Sequence, residues 1–346
     1  MLVWLLDIRH FILLPLAIFA NTVIAAEPLV LHKGSDLIGE FGKATSSYQD
    51  TLLDIARANG LGYNEIKLVN RHVDTWLPGA GQEVVLPQRY ILPAAPRDGI
   101  VVNIPEMRLY FYSKNTSGET QVKTYPIGVG REGWDTPYVT TRVSAKNEKP
   151  AWYPPESIRK DHASRGHTLP RVVPPGPENP LGDYAVRLAL PSYLIHGTNR
   201  PWGIGMRVSS GCIRLYPEHI ESLFKQVKVG TRVEFVNQPY KIGVDNGILY
   251  LEAHPFLSED RELFADNFNQ VVKLILDRTD AGQYEVDWEL IKKALDDTRG
   301  VPTPVGMDIS DLLLLADSVG VTAEAGGFDL LLDDQIKPEA DSSGGE

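Results

Sequence analysis

From residue 98 to residue 237 the chain is a succession of short runs in which β-branched and aromatic residues alternate with smaller or polar ones, and no other feature narrows its fold as much. The runs are IVVNI, RLYFY, QVKTYPIGV, YVTTRVSA, AVRLAL, YLIHG and RVEFV, with Gly, Pro and Asn between them. Alternation at a period of two buries one face of a strand, and turn residues this closely spaced leave no room for a helix of ordinary length. A mainly β unit is therefore expected, a β-sandwich or barrel with mixed sheets. Its longest connection, residues 146–182, carries eight prolines. Such a loop inside a domain is expected to act as a lid or a binding wall. One short helix is expected to start near Pro217, at the first helical position, and to turn Ile220, Leu223 and Phe224 inward.

Residues 43–88 read differently. Leu52, Leu53, Ile55 and Ala56 form an apolar stripe at helical spacing that stops at Asn59-Gly60. Ile66, Leu68 and Val69 open a second short helix after Asn64, and a Pro-Gly turn leads to a strand at Val84–Leu86 closed by Pro87. The order strand, helix, helix, strand predicts a small α+β unit. Near the other end, Arg261–Leu276 and Trp288–Thr298 are amphipathic, with a shorter stretch at Asp311–Ser318. Residues 256–330 are accordingly expected to form a helical acidic extension, and 331–346 a disordered tail.

At the start of the chain, FILLPLAIFANTVIAA (Phe11–Ala26) follows Arg9 and ends in small residues, which predicts a signal peptide over residues 1–26. The apolar run is shorter than the roughly 20 residues a spanning helix needs, although the preceding MLVWLL could extend it into an uncleaved anchor. In that case the membrane would be met only through this segment.

Charge excludes one class of partner. The net charge is -11, but 21 acidic and only 7 basic residues lie from Phe256 onward, so the remainder is close to neutral. It holds no dense basic stripe of the kind a nucleic-acid binder needs. The single cysteine, Cys212, can close no intramolecular disulfide and build no Cys-rich zinc cluster. A solitary thiol in an exported chain points to chemistry.

That chemistry falls in Ile195–Leu215, IHGTNRPWGIGMRVSSGCIRL. Thiol catalysis requires a sulfur nucleophile, a base and backbone donors for an oxyanion. Gly211 before Cys212 allows a sharp turn that exposes sulfur, and the amides around Ser210 and Gly211 are the candidate oxyanion donors. His196 closes a strand at Gly197, which opens the chain toward the site. His196 is the candidate base, Cys212 the candidate nucleophile. Arg214, Ser209 and Arg207, in the same segment, are candidate substrate contacts. A guanidinium at 214 suits a ligand carboxylate or, equally, a structural ion pair. No metal or cofactor is expected.

HGT at His196–Thr198 followed by SSGCIRL at Ser209–Leu215 resembles the signature of the L,D-transpeptidase catalytic domain of YkuD type. The likeness extends over GIVVNIPEMRLYFY, YPIGVGREG and the helix after the cysteine. GIGMRVSSGCIRL and RVVPPGPENPLG are similar to a Gram-negative periplasmic subgroup. DTLLDIA at Asp50–Ala56, Asn70, and LPGAGQEVVLP at Leu77–Pro87 resemble the LysM peptidoglycan-binding module, with Gln49 where that family usually has Gly. The catalytic family often has a second His where this chain has Ser210, so no role of that His carries over.

These resemblances imply a periplasmic enzyme of cell-wall organisation with a LysM-like module, a mainly β catalytic domain and a cysteine nucleophile. They imply attack on the L-centre carbonyl of the third residue of a tetrapeptide stem, release of D-Ala, and transfer of the acyl group from a thioester to an amine. The favoured acceptor is a lysine of an outer-membrane lipoprotein. A diamino-acid side chain, giving 3-3 cross-links, is the other amine. Water would make the protein an L,D-carboxypeptidase or hydrolase. Rivals from other classes are a non-catalytic peptidoglycan-binding protein and a cysteine peptidase unrelated to the wall.

Overall fold

The structure, a computed structural model, describes residues 27–280, 282–312 and 314. The signal-peptide expectation and the disordered-tail expectation lie outside these residues.

Among the described residues, nine strands form one sheet in the order Leu29–Val30, Thr120–Pro126, Arg108–Lys114, Gly99–Asn103, Arg232–Val236, Thr140–Glu148, Tyr184–Leu188, Leu194–His196 and Ile213–Arg214. Gly99–Asn103 runs parallel to Arg232–Val236 and Leu194–His196 runs parallel to Ile213–Arg214, while the remaining pairs are antiparallel. The mixed character is as expected, but two stacked sheets are not what forms. The sheet curls until Arg214, on its last strand, bridges to Gly128, just beyond its second strand. Right-handed twist accumulating over nine strands brings the edges together.

Ile100, Val102, Leu109, Phe111, Tyr125, Val186, Ile195 and Ile213 fill the inner side of the curl, and Val101, Tyr110, Tyr112 and Val122 form a second cluster behind it. The central strand Gly99–Asn103 is thus buried on both faces, which is why IVVNI is a continuous apolar run. Helix α4 of the molecule, Pro217–Gln226, starts with Pro at its first position and sets Ile220 and Leu223 into this core, with Phe224 half-buried against it. The proline-rich connection is not without structure. It carries a helix, α3, at Glu156–Ser164, and the buried Asn179 amide donates to Pro150 O (2.8 Å), Pro174 O (3.1 Å) and Val173 O (3.3 Å).

The N-terminal unit has strands Gly42–Thr45 and Glu83–Leu86, paired antiparallel, and helices α1 (Leu52–Ala58) and α2 (Tyr63–Val69). Thr51 and Asp54 cap α1 reciprocally, which explains the DTLLD word. Asn70, fully buried, ties the end of α2 to the strand, donating to Ile66 O and Val85 O and accepting from Val85 N–H.

The helical extension expected from residue 256 is corrected in kind and in boundary. From Tyr240 onward the chain forms a four-stranded sheet, Tyr240–Asp245, Ile248–Ala253, Pro302–Asp308 and Tyr284–Val286 in that order, covered by α5 (Asn267–Arg278) and α6 (Trp288–Asp297). Its strands hid for two reasons. ILYLEA is buried almost throughout and so does not alternate, and Pro302 and Pro304 in the third strand are residues that ordinarily argue against one.

Candidate active site

Two adjoining parallel strands assemble the site. His196 pairs with Arg214 across the strands, and Cys212 stands two residues before Arg214, so all three side chains belong to one face of the pleat. They line a cavity of about 920 Å³.

The turn before Cys212 is fastened on several sides. Gly211 has φ +95°, a conformation an L side chain rarely adopts, and a Cβ there would meet the Tyr193 ring at 3.3 Å. Its carbonyl accepts from Thr136 Oγ1 at 2.8 Å, and the Ser209 hydroxyl donates to Cys212 O at 2.6 Å. The Cys212 thiol donates to Ser192 O at 3.5 Å and is half-buried. Burial pushes its pKa up, against a smaller opposing pull from the Leu194 amide and Arg214.

His196 is buried, with Nδ1 2.6 Å from Gly197 O. A proton on Nδ1 satisfies that carbonyl, and the Leu181 carbonyl also faces the ring. Burial, with Arg214 adding to it, holds the ring's pKa down to about 3. Both shifts favour the neutral form, so a thiol and a neutral imidazole line the cavity rather than an ion pair.

Arg214 is the third member. Burial lowers its pKa, Nε has no hydrogen-bond partner, and the titratable groups that act on it are Cys212 and Arg200, with no carboxylate among them. Arg131, Arg165, Arg187 and Arg200 also line the cavity, against Glu178 as its only acidic residue among those described. Asp161 on α3 already pairs with Arg131 at 2.7 Å and with Arg165. The unspent positive charge lies around Arg200 and Arg214, where an anionic ligand would be held.

Ser210 lines the cavity with Cys212. Ser209 is spent on Cys212 O and acts on the turn. Arg207 faces elsewhere. It forms a two-pronged pair with Glu259 (2.8 and 2.6 Å) and donates to Gly130 O, lining a smaller cavity with Asp135 and Asp260. Its position one strand before the cysteine gave no hint of this, because Glu259 is far off in sequence. Gly197 donates its N–H to Tyr184 O and packs against Ile220 and Leu181, so its contribution is close approach of α4 rather than a donor for an oxyanion. His219, the next histidine along the chain and part of α4, is buried between Tyr125 and Tyr216 and does not reach the cavity.

Sequence reasoning missed the side chains that close the cavity, among them Trp134, Trp152, Tyr193 and His162. The proline-rich connection was the signal for the second and fourth. Among the described residues, no cluster of metal-ligating side chains joins this cavity. Glu106, Glu252 and His254 cluster elsewhere, within reach of a single ion, but the Lys241 ammonium sits among them, 2.9 Å from Glu106 and 2.7 Å from Glu252.

Residues 97–235 match the family model described as the YkuD L,D-transpeptidase catalytic domain. A protein named probable L,D-transpeptidase YcfS, from Escherichia coli K12, is 40% identical over 282 residues, which cover 79% of this chain and 86% of that one. Another from the same strain, named probable L,D-transpeptidase YbiS, is 38% identical over 82% of this chain and 93% of its own length. The NMR structure of the catalytic domain of an Enterococcus faecium L,D-transpeptidase superposes with a TM-score of 0.32 and 19% identity, over 42% of this chain and 100% of that one.

Proposed function

This chain belongs to the L,D-transpeptidase family, and on that premise we propose that Cys212 carries the acyl group of a peptidoglycan stem peptide as a thioester. The observation that carries this reading is the common face of Cys212, Arg214 and His196 on two parallel strands, at the wall of an arginine-lined cavity.

With both groups neutral, a free thiolate is not the resting nucleophile. The thiol proton passes to His196 Nε2 in the same step in which sulfur bonds to the L-centre carbonyl of the third stem residue, because an imidazole held near 3 is too weak a base to ionise the thiol beforehand. Amides of the Ser210–Cys212 turn face the developing oxyanion. His196 returns the proton to the departing D-Ala amine. An acceptor amine then attacks the thioester, His196 takes its proton, and the thiol is restored.

Arg214 is the proposed partner for a stem carboxylate. Its buried, unmatched Nε gives it a reason to prefer an anion over water. For the acceptor we favour a lysine of an outer-membrane lipoprotein over a diamino-acid side chain, with water as the third outcome. The N-terminal unit is read as a LysM-like glycan anchor. Tyr48, Trp76 and Leu77 stand exposed on its two longer loops, which are joined where Ser46 exchanges hydrogen bonds with Gly81 and Gln82. The enzyme is placed in the periplasm, after export by residues 1–26; no helix of the described residues is long and apolar enough to cross a membrane.

The test is incubation of purified protein with disaccharide-tetrapeptide, with and without a lysine-bearing acceptor peptide, and identification of products by mass. D-Ala release that disappears in a folded Cys212→Ala protein is expected. Release by that variant would sink the thioester reading.

A further inference from the structure

We propose that the N-terminal unit is also a positioning clamp on the catalytic loop, with Gly62, Tyr63 and Asn64 fixing Cys212 and Arg214 through Ile204 and Gly205. The proposal rests on Cys212 being the nucleophile.

The loop between His196 and Cys212 runs against the start of α2. Tyr63 N–H donates to Ile204 O at 3.0 Å and Asn64 N–H to Gly205 O at 3.3 Å. These donors belong to the first turn of a helix, where no carbonyl of the helix can accept from them. The catalytic loop supplies the acceptors. The two backbones are in direct contact, since a Cβ on Gly62 would lie 2.8 Å from Gly205 Cα, and one on Gly205 only 2.2 Å from Tyr63 N. No side chain stands between them to absorb a shift.

The same loop is bonded onward to the site. Gly205 N–H donates to Ile127 O at 3.0 Å and Val129 N–H to Met206 O at 3.1 Å. Gly128, between these, exchanges two backbone hydrogen bonds with Arg214, of 2.8 and 2.9 Å. Arg214 in turn is two residues from Cys212. A continuous run of backbone contacts thus leads from α2 to the nucleophile's strand.

On the far side, α2 is locked in place. Buried Glu65 accepts from Gly62 N–H at 2.5 Å and from Arg108 Nε at 2.6 Å, and the Arg108 guanidinium lies 4.2 Å over the Tyr90 ring. The Tyr216 hydroxyl adds a bond to Leu61 O at 3.1 Å, and Arg57 grips Glu218 of α4 with two bonds of 2.9 Å. Displacing the helix would strand a buried ion pair. A unit meant only as a tether needs none of this.

Two variants probe the contact. Gly62 has φ -93°, so Gly62→Ala strains nothing in its own backbone and presses a methyl chiefly on Gly205, with Glu65 Oε2 next at 3.2 Å. Tyr63 is the first helical residue, where proline suits the helix, so Tyr63→Pro removes the donor to Ile204 and sets the ring Cδ against Ile204 O, pushing the loop off α2 by a second route. With soluble disaccharide-tetrapeptide, kcat for D-Ala release is expected to fall about 10- to 100-fold in the folded variants. KM and retention on purified sacculi should stay near wild type. An unchanged kcat in folded Tyr63→Pro, or a loss confined to KM, overturns the clamp. Cys212→Ala, run alongside, separates the two readings, because turnover by that protein would refute the nucleophile and not the clamp.

Discussion

Cys212 and His196 are kept uncharged by the same cause, removal from water, acting on an acid and on a base in opposite directions. The consequence is a pH profile without the acidic inflection of a thiolate–imidazolium pair. Alkylation of Cys212 by iodoacetamide should be slow at pH 7 and climb steadily above the free-thiol pKa of about 8.5, since burial raises the thiol further. Substituting His196→Ala should leave that profile nearly in place, because a neutral ring was not holding a thiolate. Acylation by stem peptide should nevertheless fall about 100-fold, with partial recovery at high pH. A wild-type inflection below pH 7, lost in His196→Ala, would establish the ion pair instead. At this scale the sequence singled out Cys212, His196 and Arg214, which line one cavity. It was silent on their charge state, which depends on what is packed around them.

Among the elements, the proline-rich connection is the one whose role depends most on a single side chain. Prolines cannot supply N–H groups to hold a long segment, so Asn179 does so from the centre, donating to three carbonyls and accepting from Leu181 N–H at 2.9 Å. Asn179→Ala leaves these groups unsatisfied and should cost about 1–3 kcal/mol in denaturant unfolding. Because the segment walls the cavity with Trp152, Tyr153 and α3, KM for the stem peptide should rise more than kcat falls, which steady-state kinetics would read directly. Equal loss in both would mean that the wall also orders the reacting groups. The turn and helix punctuation that made α1, α2 and α4 legible is local, resting on caps and on proline at a first position. The third helix, α3, has no buried residue and hence no apolar stripe to betray it.

For the whole molecule, the catalytic and C-terminal units meet at a buried polar knot. Lys241, from the C-terminal sheet, pairs with Glu252 and with Glu106, while Glu252 also accepts from Ile91 N–H at 2.6 Å and pairs with His254 at 2.6 Å. Burial alone would raise the Glu252 pKa, yet Lys241 and then His254 hold it below the ordinary carboxylate value. Lys241→Met would leave two buried carboxylates without their cation and should destabilise by about 3–5 kcal/mol, seen as a lower midpoint for one cooperative thermal transition. A separate early transition of the C-terminal unit would show that the knot does not couple the units. What the sequence determined by itself was whatever is written locally: the strand-rich centre in its alternation, the capped helices, and the only thiol of the chain set in a glycine turn. The tertiary structure alone decided the curl that closes the sheet on Gly128, the diversion of Arg207 to Glu259, the strands hidden beyond Tyr240 and the seating of α2 on the catalytic loop. Each of these is a contact between residues far apart in the chain, and its free energy comes from desolvation and shape fit that no local pattern encodes.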